Sequence, residues 1–272
     1  LNTQKDYSMN LWKTIVITLR ITNLKIMQEQ EQWEAGKKMI VDSELFDQLR
    51  KLASTLINEF DGSMTRVENP KHIHAGDLPG WSDYFWESST IRKAHLKTIE
   101  PVGKNKLWLM HINIFPQEHV DLPIFGLDIV ANPKKISGCF CDYSPIDVGQ
   151  TLLHPYMIKF KTATEKFTWT KERQMPDWAL EIFSENIIGA GSIRTGEETE
   201  QLVNMALELS RFYTMEMGNP QYTKKWINTL ERQNKYCANQ KLNRMLHSSI
   251  LAMGIPEETK NQYVENVLFR EV

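Results

Sequence analysis

Leu107-Trp108-Leu109-Met110-His111-Ile112-Asn113-Ile114-Phe115 is apolar at most positions of both alternating faces. A half-exposed strand alternates apolar and polar residues, so a run apolar on both faces belongs to a strand covered from both sides. Four more short runs of β type surround it, at residues 84–86, 94–99, 125–131 and 136–142, and the central run extends over residues 106–115. Pro, Gly and Asn turns separate the five at hairpin-like spacing, which predicts an antiparallel sheet.

Outward from the sheet the period changes. Residues 28–60 carry Leu45, Phe46, Leu49, Leu52, Ala53, Leu56 and Ile57 at spacings of three and four, an amphipathic helix with Asp42 or Ser43 as its cap. Residues 61–82, with Gly62, Pro70, Gly76, Pro79 and Gly80, read as a loop. Beyond residue 145, short helices are expected at 146–160 and 176–183. A long one is expected at 197–217, with Leu202, Met205, Ala206, Leu209 and Phe212 on one face, and two more at 223–246 and 257–269. Helices, then an antiparallel sheet, then helices predict one α+β sandwich rather than two domains.

The 272 residues fit a single large unit, and a net charge of -2 excludes a strong basic footprint for nucleic acid. Three cysteines, an odd and low count, point to a reducing compartment without a disulfide framework. Cys139 and Cys141 stand two apart on a strand and are expected as small core residues, since no second pair completes a zinc site. The apolar run at 14–19 is too short for a membrane span, and Lys13, Arg20 and Lys25 flank it closely. Residues 1–26 are therefore expected to be a loosely attached extension, with one domain over 27–272.

Two ionisable residues interrupt consecutive apolar strands. Asp128 lies in Leu122-Pro123-Ile124-Phe125-Gly126-Leu127-Asp128-Ile129-Val130-Ala131, where alternation puts it on the face of Gly126 and Val130. His111 interrupts the central strand. If the two strands pair, His111 and Asp128 meet on one face and share a proton over a pocket, an acid–base relay. His95 on the preceding strand is a third polar residue of that sheet; the eight tryptophans are expected mostly in the core, with Trp108 beside His111 also a candidate pocket wall. Dinucleotide, Walker, zincin and nucleophile-elbow motifs are absent from the sequence. Gly189-Ala190-Gly191 reads as a turn. His72 and His74 lack a clear third ligand for a metal site.

The stretch 103–145 closely resembles the core of the ferredoxin-dependent bilin reductases. The resemblance rests on Leu109-Met110-His111, Phe115-Pro116, the run from Asp121 to Ala131 and Asp142-Tyr143-Ser144-Pro145. Arg92-Lys93-Ala94-His95-Leu96, the run at 176–185 and Tyr236-Cys237-Ala238-Asn239-Gln240-Lys241 extend it, so that it covers about residues 84–269. His111 and Asp128, seventeen positions apart, match the pair of the phycocyanobilin-forming branch. The resemblance implies a three-layer α/β/α sandwich that binds biliverdin IXα between the sheet and the C-terminal helices. It implies single electrons from reduced ferredoxin, reduction through bilin radicals, and no metal or flavin of its own. Protonating a tetrapyrrole near neutral pH asks for an acid whose proton affinity is raised by burial or coupling. By position, Asp128 is the expected proton donor and His111 its partner, while His95, Asn239 and Lys241 are expected to hold the pigment, Lys241 at a propionate.

The chain departs from the family at two places. Lys97 stands where the phycocyanobilin branch has a glutamate that serves vinyl reduction, with Glu100 nearby in a hairpin lengthened by two residues. Gln240 or Asn243 stands where phycoerythrobilin branches place an aspartate. A phycoerythrobilin-type product or a dihydrobiliverdin is the alternative to phycocyanobilin, and a bilin carrier without turnover is the alternative of another class. Ferredoxins are acidic, so Lys134, Lys135, Lys159, Lys161, Lys166, Lys171 and Arg173 are the expected docking rim. A monomer without nucleic-acid or membrane partners is expected, in the cytoplasm or, for an alga, the plastid stroma.

Overall fold

The doubly apolar run becomes the middle strand of a seven-stranded sheet, Trp108–Pro116, with all nine residues buried. The computed structural model describes residues 42–68, 79–103, 105–145, 155–220 and 226–272. Within them the strands are β1 (Thr65–Val67), β2 (Trp81–Glu87), β3 (Ile91–Ile99), β4 (Trp108–Pro116), β5 (Ile124–Asn132), β6 (Lys135–Ser144) and β7 (Ile188–Ile193). Their order in space is their order in the chain, and each neighbouring pair is antiparallel. The helices are α1 (Asp42–Ser63), α2 (Pro155–Thr164), α3 (Asp177–Leu180), α4 (Gly196–Met217), α5 (Trp226–Gln240), α6 (Arg244–Ala252) and α7 (Glu257–Tyr263), which runs into a π-helical segment, Val264–Leu268. Ile40–Val272 form one compact unit, and the expected boundary at residue 26 lies outside the described residues.

The fold is α+β, a three-layer α/β/α sandwich around an antiparallel sheet. One sheet face presents Leu96, Met110, Ile112, Leu127, Ile129, Cys139 and Cys141 to α1, α2 and α4. The helix α1 buries Leu45, Leu49, Leu52, Leu56 and Phe60 there, at about 2 kcal/mol each, which outweighs anything its own helix propensity supplies. Both strand cysteines are free core residues, as alternation predicts. The other face presents Trp81, Phe85, Ile99, Leu109, Phe115 and Ile124 to Tyr236, Ile250, Tyr263, Val264, Val267 and Phe269 of the C-terminal helices.

Four sequence expectations change. Gly189-Ala190-Gly191 is part of β7 rather than a turn. Arg173 donates its backbone N–H to the Gly189 carbonyl (2.7 Å) and Gly191 donates to the Lys171 carbonyl (2.9 Å). A Cβ on Gly189 would come within 2.9 Å of the Arg173 carbonyl, so these glycines admit the crossing segment. Residues 65–67 of the expected loop are the edge strand β1. The helix expected at 223–246 breaks after Gln240, because Asn243 accepts the Met245 and Leu246 N–H groups with its side chain and starts α6. On α4 the buried aromatic is Tyr213, whose hydroxyl donates to the Pro123 carbonyl (2.7 Å), while Phe212 is half-buried. His72, His74, residues 146–154 and the run at 14–19 lie outside the described residues.

Candidate active site

Register decides which polar residues meet. Asp83 lies opposite Lys97, Lys97 opposite His111, and His111 opposite Asp128, a row across β2, β3, β4 and β5. Two positions along the strands, His95 lies opposite Asn113, Asn113 opposite Gly126, and Gly126 opposite Asp142. With side chains alternating at a period of two, all of these share the face toward the C-terminal helices. The expected meeting of His111 and Asp128 is realised: Nδ1 of His111 is 2.5 Å from Oδ1 of Asp128. Only 5% of the His111 side chain is exposed against 42% for Asp128. The histidine is thus held inside while the carboxylate opens outward. Asn113 Nδ2 reaches His111 Nε2 at 2.9 Å, and the Phe269 ring stands edge-on to the imidazole, centroids 6.1 Å apart.

His95 belongs to a second cluster. Its Nε2 is 2.7 Å from Asp83 Oδ1, which also accepts from the Tyr263 hydroxyl (2.6 Å), while Trp81 Nε1 donates to Oδ2 (2.6 Å). Burial opposes ionisation of Asp83, but His95, Tyr263 and Lys97 outweigh it and hold this carboxyl below its ordinary value. Burial pushes His95 down to about 4, so near neutrality it is uncharged, with Nε2–H donating to Asp83. Its ring lies flat on Phe85, centroids 4.4 Å apart, and Nδ1 is buried without a hydrogen-bond partner among the described residues. That nitrogen is an acceptor aligned by a fixed ring.

Lys97 is 1% exposed, with its ammonium 5.1 Å from the Trp81 ring and 5.4 Å from that of Tyr263. Burial pushes it down to about 8, against the pull of Asp83 and Asp128. Asp142 completes the polar face. Burial raises it to about 6, and it anchors the segment after α3 by accepting from the Ser184 backbone N–H (3.0 Å) and hydroxyl (2.5 Å). Among the described residues no group of three or more His, Cys, Asp or Glu is placed to hold a metal ion.

A lone polar face could still belong to many folds, and comparison with known proteins resolves this. The pattern described as "Ferredoxin-dependent bilin reductase" matches residues 76–270. The chain belongs to this family. Family membership makes it an oxidoreductase that uses ferredoxin as donor. A phycocyanobilin:ferredoxin oxidoreductase of Prochlorococcus marinus is 30% identical over 67% of this chain and 72% of its own length. A protein of the same name from a Synechococcus strain is 31% identical over 82% of this chain and 94% of its own. The solved phytochromobilin synthase from tomato, in complex with biliverdin, shares the fold at a TM-score of 0.67 and 16% identity, over 81% of this chain and 82% of its own.

As a bilin reductase, the protein distributes its other expected residues unevenly. Asn239 donates to the Trp178 carbonyl (3.1 Å). Lys241 is paired with Glu265 (2.5 Å) and Glu271 (2.7 Å), so its charge is already matched within the fold. Trp108 and Glu100 turn away from His111: Trp108 Nε1 donates to Glu100 Oε1 (3.0 Å), and Arg50 of α1 holds Oε2 (2.8 Å) on the opposite face. Gln240 donates to the Tyr236 hydroxyl (3.0 Å), whereas Asn243 serves as the α6 cap. Of the expected docking lysines, Lys159 and Lys166 lie at 3.7 and 3.0 Å from Glu208. Asp83, Asn113, Tyr236 and Tyr263 were not singled out from sequence. The parity of Asp83 on the strand beside His95, and of Asn113 two residues from His111 on β4, was a usable signal, while the tyrosines arrive from distant helices.

Proposed function

We propose that this protein reduces biliverdin IXα to a phycobilin, with single electrons from reduced ferredoxin and protons delivered to bilin radicals by Asp128 and its partner His111. The observation that carries this reading is the 2.5 Å contact between a buried histidine and a carboxylate that opens outward. Each one-electron reduction of a neutral bilin leaves a radical anion, and a proton supplied at the moment charge develops keeps the sequence moving. In this reading the unpaired Nδ1 of His95 accepts a hydrogen bond from a bilin N–H, and Lys97 keeps a positive charge beside the reducing pigment. Lys241 as a partner for a propionate requires that carboxylate to displace Glu265 or Glu271. The setting proposed is the cytoplasm, or the plastid stroma if the host is an alga.

Phycocyanobilin is the product that the named relatives support. One observation favours phycoerythrobilin or a dihydrobiliverdin instead: Lys97 faces His111, and the nearest glutamate in sequence, Glu100, is committed to Arg50 and Trp108. An anaerobic assay with biliverdin, reduced ferredoxin and a regenerating system, with products separated by chromatography and read by their spectra, tests both. Pigment that binds but stays unreduced would overturn the enzyme reading in favour of a carrier.

A further inference from the structure

A chain of buried hydrogen bonds runs from α5 into the sheet and ends on His111. Gln240 Nε2 donates to the Tyr236 hydroxyl (3.0 Å), which donates to Asn113 Oδ1 (3.4 Å). Asn113 Nδ2 then meets His111 Nε2 (2.9 Å), and His111 Nδ1 meets Asp128 Oδ1 (2.5 Å). Gln240, Tyr236, Asn113 and His111 are each no more than 6% exposed, so water does not substitute for these partners. The polarity of the chain is set by chemistry. An amide nitrogen only donates, so Nε2 must be the bare acceptor and the ring proton must sit on Nδ1, aimed at Asp128. Tyr236 fixes the sense of the amide by offering a proton to Oδ1. Burial raises the Tyr236 phenol well above its ordinary value, so it keeps that proton. Gly126 leaves room for the approach, since a Cβ there would stand 3.3 Å from the Tyr236 hydroxyl, a tight contact.

We propose that Asn113 and Tyr236 are positioning residues that hold His111 as its Nδ1–H tautomer, with the proton directed at Asp128. The role in turnover rests on the reading of Asp128 and His111 as the proton-delivering pair, in which Asp128 Oδ1 accepts from Nδ1–H and the proton handed to the bilin radical leaves Asp128 Oδ2, the ring keeping its own; the tautomer itself does not rest on it. A protonated His111 needs an acceptor at Nε2, which requires the Asn113 amide to turn over and present Oδ1. Tyr236 and Gln240 resist that turn, because Oδ1 would lose the tyrosine hydroxyl unless the two amides and the hydroxyl reorient together. The other groups facing this ring are His95 and Lys97 on β3, Asp128 on β5 and Phe269, with Asp83 and Tyr263 behind the β3 pair and Asp142 beyond Gly126 on β6.

The experiment is nitrogen NMR of the full chain with labelled histidine, without substrate, with His111 assigned by loss of its signals in His111→Gln. The wild type is expected to show a bare Nε2 and a protonated Nδ1. Tyr236→Phe, which keeps the ring and loses only the hydroxyl, is expected to give averaged signals from both tautomers. Asn113→Asp, which sets a carboxylate against Nε2, is expected to give an imidazolium and to move the pH profile of turnover to higher pH. Tyr236→Phe is expected to lower kcat about 10-fold with KM little changed. A wild type protonated at Nε2, or a Tyr236→Phe spectrum identical to wild type, overturns the proposal. Wild-type protein with the expected tautomer but no turnover of biliverdin would instead overturn only the proposed function.

Discussion

Replacing Lys97 by Met should make this protein more stable and less active. Lys97 is buried between Trp81 and Tyr263, and its proton affinity falls from the ordinary 10.5 to about 8. At neutral pH the side chain is charged both in the folded and in the unfolded chain, but the folded state holds the proton less tightly. Below about 8 the full cost of burying the charge is present, and at 1.36 kcal/mol per pH unit that gap amounts to about 3 kcal/mol. Between about 8 and 10.5 the unfolded chain binds more protons than the folded one, so wild-type stability from this group rises with pH and the cost vanishes above 10.5. Met keeps the length and apolar stem, and what it loses is the cation–π contact with the two rings, about 1 kcal/mol. The expected gain for Lys97→Met is therefore about 2 kcal/mol near neutral pH, shrinking toward zero or reversing slightly at the alkaline end. Urea unfolding of both proteins across the range from neutral to alkaline pH measures it, with an unchanged slope on denaturant showing that only stability moved. A destabilised Lys97→Met at neutral pH, or a difference that does not change with pH, would refute the reasoning.

Asp128→Asn is expected to bind biliverdin with a visible spectrum close to wild type while turnover drops about 100-fold or more; a wild-type rate would remove Asp128 as the proton donor. Asp83→Ala strands three buried donors, Trp81 Nε1, His95 Nε2 and the Tyr263 hydroxyl, and should cost about 3 kcal/mol or more in urea unfolding. Glu100→Gln should leave the distribution of phycobilin products unchanged, as chromatography would show, because that side chain serves Arg50 and Trp108 on the far face. Asn243→Ala removes the α6 cap and should cost about 1 kcal/mol, read as a lower urea midpoint without loss of pigment binding.

What was legible in the sequence follows the range of the interaction that fixes it. Strand parity is local, so the face of Asp128 and the packing of Cys139 and Cys141 follow from counting by two. The meeting of His111 with Asp128 needs only that neighbouring strands pair in register, which a hairpin of this length allows. Contacts between distant elements left no such trace. Tyr236 reaches Asn113 across 123 positions and Tyr263 reaches Asp83 across 180, and nothing local in either helix announces a polar partner. Gly189 and Gly191 misled for a related reason: a glycine pair reads as a turn unless one knows that Arg173 and Met175 cross over it. The break after Gln240 was local and still missed, since the Asn243 cap lies inside a continuous helical pattern.

The two faces of the sheet serve different ends, and their composition shows it. The face toward α1 and α4 buries aliphatic side chains, the two cysteines and Trp86, Trp108, Phe125 and Tyr143. The face toward the C-terminal helices sets Asp83, His95, Lys97, His111, Asn113 and Asp142 among its aromatics, all almost fully buried in side chain. Burying that many polar groups lowers stability unless each finds a partner. Asp83 and Asn113 gain theirs partly from Tyr263 of α7 and Tyr236 of α5, His95 and His111 pair within the sheet, and Asp142 pairs with Ser144 and Ser184. The exceptions are informative: His95 keeps an unpaired buried nitrogen, Asp128 keeps an open carboxylate, and Lys97 meets ring faces instead of a close carboxylate. A fold selected for stability alone would have closed these three gaps with apolar side chains. They lie on β3 and β5, on either side of His111 of β4, which is where the proposed reduction of a pigment one electron at a time would need an acceptor, a proton and a positive charge together.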